Sequence, residues 1–164
     1  MHHGLIPASA TDFPLWWSAR AIRILVTGAT GLLGPYLVEA ASRRGNVIGL
    51  ARRGGDLLCD LVEAEATSTA LRRADPDVVV HAVALTDVDR CEREPEVADR
   101  VNRQAVVNLV AALPPRTGLV YVSTDQVYPD CPGPHREGGE RPVNAYGRSK
   151  LAGELAALRH SAGL

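Results

Sequence analysis

Three glycines at one spacing constrain this chain more than any other feature. Gly28, Gly31 and Gly34 stand as G-x-x-G-x-x-G between an apolar run at 22–27 and a helical pattern at 32–44. The run Ile22-Arg23-Ile24-Leu25-Val26-Thr27 is short and β-branched, as a buried strand is. Leu33, Leu37, Val38 and Ala41 share one helical face, and Gly45 follows as a stop signal. Glycine lets the backbone turn tightly between such elements and lets the helix pack close on the strand.

The alternation continues along the chain. Residues 46–51 (NVIGLA) read as a second strand and 62–74 as a helix closed by Asp75-Pro76. Residues 77–82 read as a strong strand. Residues 95–113 read as one helix, with Pro95 in its first turn and Pro114-Pro115 ending it. Residues 119–123 read as a further strand. The Pro/Gly-rich stretch 130–142 reads as a loop, and Asn144 as the N-cap of a last helix over 145–160. Strands alternating with helices imply a parallel sheet covered on both faces, the doubly wound α/β (Rossmann) class. The expected domain covers 21–164. Residues 1–20, with a small apolar knot at Phe13, Leu15, Trp16 and Trp17, read as an N-terminal extension without the pattern of a secretory signal.

Composition excludes several classes. The 164 residues carry 18 Lys+Arg against 19 Asp+Glu, with no long run of either sign. This predicts no nucleic-acid stripe and no anionic-membrane patch. No apolar run approaches the ~18 residues of a membrane span. Cys59, Cys91 and Cys131 are scattered and odd in number, without C-x-x-C. They read as reduced, structural thiols of a cytoplasmic protein. No cluster of metal ligands is assigned.

A parallel sheet binds ligands beyond the carboxyl ends of its strands, where strand order reverses. The glycine turn lies at such a place. Gly31 would let the backbone approach a diphosphate, and the helix start offers free N–H groups to it. An NAD enzyme often places Asp or Glu at the end of the second strand. Here Ala51-Arg52-Arg53-Gly54 stands instead, and two guanidinium groups suit a 2′-phosphate, so NADP(H) is expected over NAD(H). Further on, Tyr146 and Lys150 stand at i and i+4, on one helical face. A lysine ammonium near a phenol favours the phenolate and is expected to lower its pKa. Ser123-Thr124 follows a strand directly, where a hydroxyl could hold a substrate carbonyl.

On these residues the chain resembles the extended short-chain dehydrogenase/reductases, and among them the dTDP-4-dehydrorhamnose reductase branch. The matching segments are TGATGLLG (27–34), PDVVVHAVALTDVDRCEREPEVADRVN (76–102), YVSTDQVY (121–128) and YGRSKLAGE (146–154). The resemblance implies Tyr146 as general acid, Lys150 as its activator and a ribose contact, and Thr124 on the substrate carbonyl with Ser123 beside it. It implies Gly28, Gly31, Leu32, Leu33 and Gly34 around the diphosphate. Asp60 and Leu61 would lie against the adenine, Ala82, Val83 and Ala84 against the central part of the cofactor, and Asn102 on the cofactor side. The implied reaction is hydride transfer from NADPH to the C4 carbonyl of a dTDP-4-keto-6-deoxy sugar. Two departures stand out. His81 occupies a position where the branch usually has Asn, read as a tolerated replacement, with a second proton-active group as the alternative. The branch also continues for about as many residues again, into a lobe for the nucleotide sugar. On that comparison this chain alone is expected to bind cofactor weakly and turn over little, since positioning can supply ~7–11 kcal/mol of barrier reduction. Two other readings stay open: a nucleotide-sugar epimerase or dehydratase with bound NAD, and a non-catalytic dinucleotide-binding subunit like that of methionine adenosyltransferase. The sugar, metal use and homo-oligomer formation are left open.

Overall fold

A computed structural model describes residues 21–160. The expected extension at 1–20 lies outside the described residues. Five strands form one sheet: β1 (Arg23–Thr27), β2 (Asn46–Ala51), β3 (Leu57–Leu58), β4 (Val78–His81) and β5 (Gly118–Tyr121), in the order β3-β2-β1-β4-β5. Every pairing is parallel, with Thr27 aligned to Leu50 on one side and to His81 on the other. This is the doubly wound Rossmann order, and its reversal falls between β1 and β4.

The helices are α1 (Gly34–Ser42), α2 (Ala64–Ala74), α3 (Val88–Arg93), α4 (Pro95–Asp99), α5 (Ala105–Ala112) and α6 (Ala145–Ala157). Crossovers between parallel strands are right-handed. The β1-to-β2 connection and the β4-to-β5 connection run in opposite directions along the sheet, so α1 lies on one face and α5 on the other. Helix α2, which returns the chain from β3 to β4, packs against α5, and α5 packs against α6. Leu25, Val79 and Leu119 from adjacent strands meet Leu71, Val106 and Leu109 of these helices in the main core. All six are buried, which is the main stabilising term of the sandwich.

Three expectations need correction. The expected helix over 95–113 is three pieces, with a π-helical segment (Arg100–Gln104) between α4 and α5. Its wider turn carries Asn102 inward to bond Leu85 and Ser149. Helix α3 lies inside a stretch left without an element; Asp87 caps it by accepting from Arg90 N at 2.9 Å. The short strand β3 was also missed, since two residues give no periodicity to read. Elsewhere the ends differ by a few residues, as at α6, which stops at Ala157.

Candidate functional site

The first strand delivers the chain to the switch point. Gly28 follows Thr27 with φ +74°, and a Cβ there would stand 3.0 Å from the Ala82 carbonyl carbon, just past β4. Only glycine fits both the left-handed backbone and that approach. At Gly34 a Cβ would stand 2.3 Å from the carbonyl oxygens of Gly28 and Ala29, so the first turn of α1 closes directly onto the turn. Gly28 N and Ala29 N donate to Leu50 O at 2.8 and 3.2 Å, tying the turn to β2. Gly31 N donates to Gly28 O at 2.9 Å. Leu33, the N-cap residue, supplies no side-chain cap. The amides of Leu32 and Leu33 have no partner among the described residues. An uncapped helix start with free amides is an anion site in waiting.

The turn opens on a cleft of about 1030 Å³. Gly28 and Gly31 line it at one end, and Arg52 and Arg53 flank it past β2. Asp60 and Leu61, beyond β3, form another part of its wall, with Cys59 and Val62 beside them. Ala82, Val83 and Ala84, beyond β4, complete it. Neither arginine has a side-chain ion pair among the described residues. Nine residues expected around a dinucleotide thus share one cleft. Leu32, Leu33 and Gly34 lie outside its lining, as do Asn102, Ser123, Thr124, Tyr146 and Lys150.

This second group clusters one strand further along, at the end of β5. Helix α6 is held there by caps from two directions. Asn144 accepts from Gly147 N at 2.7 Å, the N-cap expected from sequence, and Glu92 of α3 accepts from Ala145 N at 2.5 Å. Asn102 adds a clamp. Its Oδ1 accepts from Leu85 N at 2.7 Å, and its Nδ2 donates to Leu85 O at 3.0 Å and to Ser149 Oγ at 2.9 Å. Both amide protons are therefore used inside the protein, and the residue joins the loop after β4 to α6. Thr124 begins a 3₁₀ turn (Asp125–Val127) and its Oγ1 accepts from Gln126 N at 3.3 Å. Ser123 Oγ is buried without a hydrogen-bond partner.

Lys150 Nζ donates to Val122 O at 2.6 Å and lies 4.1 Å from the Tyr121 ring centroid. Burial draws this ammonium down to about 8, opposed by Glu154. The Tyr146 phenol is raised, not lowered as expected from its Tyr-x-x-x-Lys spacing. Burial raises it most, the Thr124 hydroxyl pulls the other way, and Cys91 and Asp125 add to the rise. The shared helical face is real, but the ammonium is turned to the end of β5. His81 is fully buried and uncharged. Burial, then the nearby Lys150, hold it down to about 3, and its Nδ1 pairs with Thr27 Oγ1 at 2.9 Å. Its Nε2 is buried without a hydrogen-bond partner.

Cys59 and Cys91 are free and buried, and Cys131 is free and exposed. Among the described residues no three His, Cys, Asp or Glu side chains group to hold a metal, and no helix is long and apolar enough to cross a membrane.

The family described as RmlD substrate binding domain matches residues 22–163. The chain belongs to this family. It is 39% identical over 142 residues to a dTDP-4-dehydrorhamnose reductase of Mycolicibacterium smegmatis, covering 84% of this chain and 42% of that protein. It is 36% identical over 149 residues to methionine adenosyltransferase 2 subunit beta of Danio rerio, covering 86% and 45%. Among solved structures it is similar to dTDP-4-dehydrorhamnose reductase of Bacillus anthracis in complex with NADP. There the TM-score is 0.78 and the identity 29%, with 87% of this chain and 51% of that chain covered. The chain thus spans about half the length of the relatives it matches. The extended short-chain dehydrogenase/reductase resemblance and the Rossmann class both stand.

Proposed function

We propose that this chain is the cofactor-binding half of a reductase that moves hydride from NADPH to the C4 carbonyl of a dTDP-4-keto-6-deoxy sugar. One observation carries the reading: the glycine turn and Arg52-Arg53 open into a single cleft at the sheet's switch point, and Thr124 and the α6 residues Tyr146 and Lys150 group at the end of β5, the strand next to β4. The names of the similar reductases and the NADP held by the Bacillus anthracis protein agree with it.

The residues present fit a dinucleotide. The free amides of Leu32 and Leu33, at the start of α1, are donors for a diphosphate. Gly28 and Gly34 let the turn pack directly on the backbone after β4 and on the first turn of α1, which sets those amides at the mouth of the turn. Arg52 and Arg53 would take the 2′-phosphate through forked, charge-assisted bonds. Asp60 and Leu61 would lie against the adenine, and Ala82, Val83 and Ala84 against the middle of the molecule. When bound, the nicotinamide supplies the hydride. Thr124 would donate to the keto oxygen, and Tyr146 would give that oxygen its proton. Lys150 would stabilise the phenolate left behind. The raised pKa of Tyr146 keeps the phenol protonated, as an acid should be before the step.

NADPH oxidation should depend on the dTDP-4-keto sugar and fall by about 10²–10⁴-fold in Tyr146→Phe. Arg52→Ala and Arg53→Ala should weaken NADPH while leaving NADH nearly unchanged. Sugar-dependent oxidation that survives Tyr146→Phe would contradict the proposal. Dinucleotide binding without turnover would favour a non-catalytic role, which the likeness to the methionine adenosyltransferase subunit keeps in view.

A further inference from the structure

Lys150 is the only lysine in this sequence; every other member of its 18 basic residues is arginine. It is also 2% exposed. An amine, unlike a guanidinium, is compact and can lose its proton under burial. What holds it matters accordingly.

Tyr121 grips it at both ends. The ring centroid is 4.1 Å from Lys150 Nζ, and the phenol hydroxyl donates to the Lys150 carbonyl at 3.2 Å. The Val122 carbonyl, next in the chain, takes the ammonium at 2.6 Å. Helix α6 reaches the ring only because position 153 is glycine: a Cβ at Gly153 would stand 2.4 Å from the Tyr121 hydroxyl oxygen. On the sheet side, Tyr121 is in register with His81, and the two rings stack at 5.7 Å with 12° between their planes.

We propose that Tyr121 is a positioning residue of this site: its ring face holds the Lys150 ammonium, charged and fixed, at the end of β5. The role rests on reading Lys150 as the amine of the reductase site. A cation over an aromatic face is attracted by the ring quadrupole, most strongly where water is excluded. Other groups around the amine do not replace the ring. Glu154, on the same helix, favours the charged form, and burial outweighs it. His81, from β4, is held neutral and brings no second cation to the ring. The phenols of Tyr121 and Tyr146 are both raised, so neither offers a negative charge near neutral pH.

The experiment is a pH titration by NMR of the full chain, labelled with ¹³C at the lysine Cε, without cofactor. A single lysine gives a single side-chain signal. Position 121 is replaced by Phe and then by phenylalanines carrying one and three ring fluorines, which weaken the quadrupole at nearly constant shape. The midpoint should stay near that of the wild type in Tyr121→Phe. It should then fall stepwise with fluorination, by roughly one pH unit in all, a tenfold loss of proton affinity. A midpoint that does not move across the series overturns the proposal. The wild type gives an independent check: the Lys150 ε-proton signal should be displaced upfield by the ring, and an ordinary position would overturn the proposal without any variant. Because no cofactor is used, failure of the reductase reading would leave both outcomes unchanged.

Discussion

Replacing Asn102 by alanine should cost this chain much of its stability. The side chain is 1% exposed and makes three hydrogen bonds, two of them to the backbone of Leu85. Asn102→Ala leaves the half-buried Leu85 N–H without its partner and the C=O with only the weak Cys91 thiol donor at 3.6 Å. Each buried polar group so stranded costs ~1–3 kcal/mol. Ser149 Oγ loses less, because it still donates to Tyr146 O at 2.8 Å. The expected loss is about 4 kcal/mol, against a typical total of ~5–15 kcal/mol for a whole domain. Urea unfolding followed by circular dichroism measures it. Asn102→Asp should lose at least as much, since its second oxygen would face the Leu85 carbonyl as acceptor against acceptor and bury an unpaired charge. A loss below ~1 kcal/mol in the alanine variant would refute the view that Asn102 clamps the loop after β4 to α6.

Other outcomes follow from the same contacts. Gly34→Ala would put a methyl 2.3 Å from two carbonyl oxygens, so it should destabilise by ~3 kcal/mol or more in thermal unfolding and abolish dinucleotide binding. His81, drawn down to about 3 from an ordinary 6.5, is neutral when folded and protonates when unfolded in mild acid. Its contribution is fully present above the unfolded value of ~6.5 and is lost as pH falls through the folded value. Going from about pH 7.5 to about pH 4.5, His81→Gln should therefore lose ~3 kcal/mol less stability than the wild type. Glu92→Ala should cost ~1 kcal/mol by uncapping the Ala145 amide at the start of α6, measurable in the same unfolding assay.

The sheet was legible because each long strand is a compact apolar run and each turn is marked by glycine or proline. The cleft was legible for a related reason. The ends of parallel strands are where a ligand can lie, and Gly28 and Arg52 follow strands that the sequence shows; Asp60 and Ala82 were placed only by the family resemblance, the strand before Asp60 being two residues long. The break in the 95–113 helix left no mark, because a π turn shifts the helical face by one residue within a run rich in Ala and Val. The six residues of α3 are too few for a periodic pattern, although Asp87 was a usable cap signal. Tyr121 opens the YVSTDQVY segment, but nothing in that spacing points to Lys150. Its contact with Lys150 depends on α6 lying across β5, a tertiary fact that local spacing does not carry. The same is true of the Tyr146 pKa: the i, i+4 spacing placed two groups on one face, while burial and the turn of the ammonium toward Val122 set the direction of the shift.

The most direct measurement is titration of NADPH into the ¹⁵N-labelled chain, followed amide by amide. The largest shifts are expected at Gly28, Gly31, Leu32 and Leu33, with a second group at Arg52 and Arg53 that shrinks when NADH is used. Shifts confined to a second hollow of about 400 Å³ lined by Tyr128, His135 and Asn144, or none at all at saturating NADPH, would contradict this.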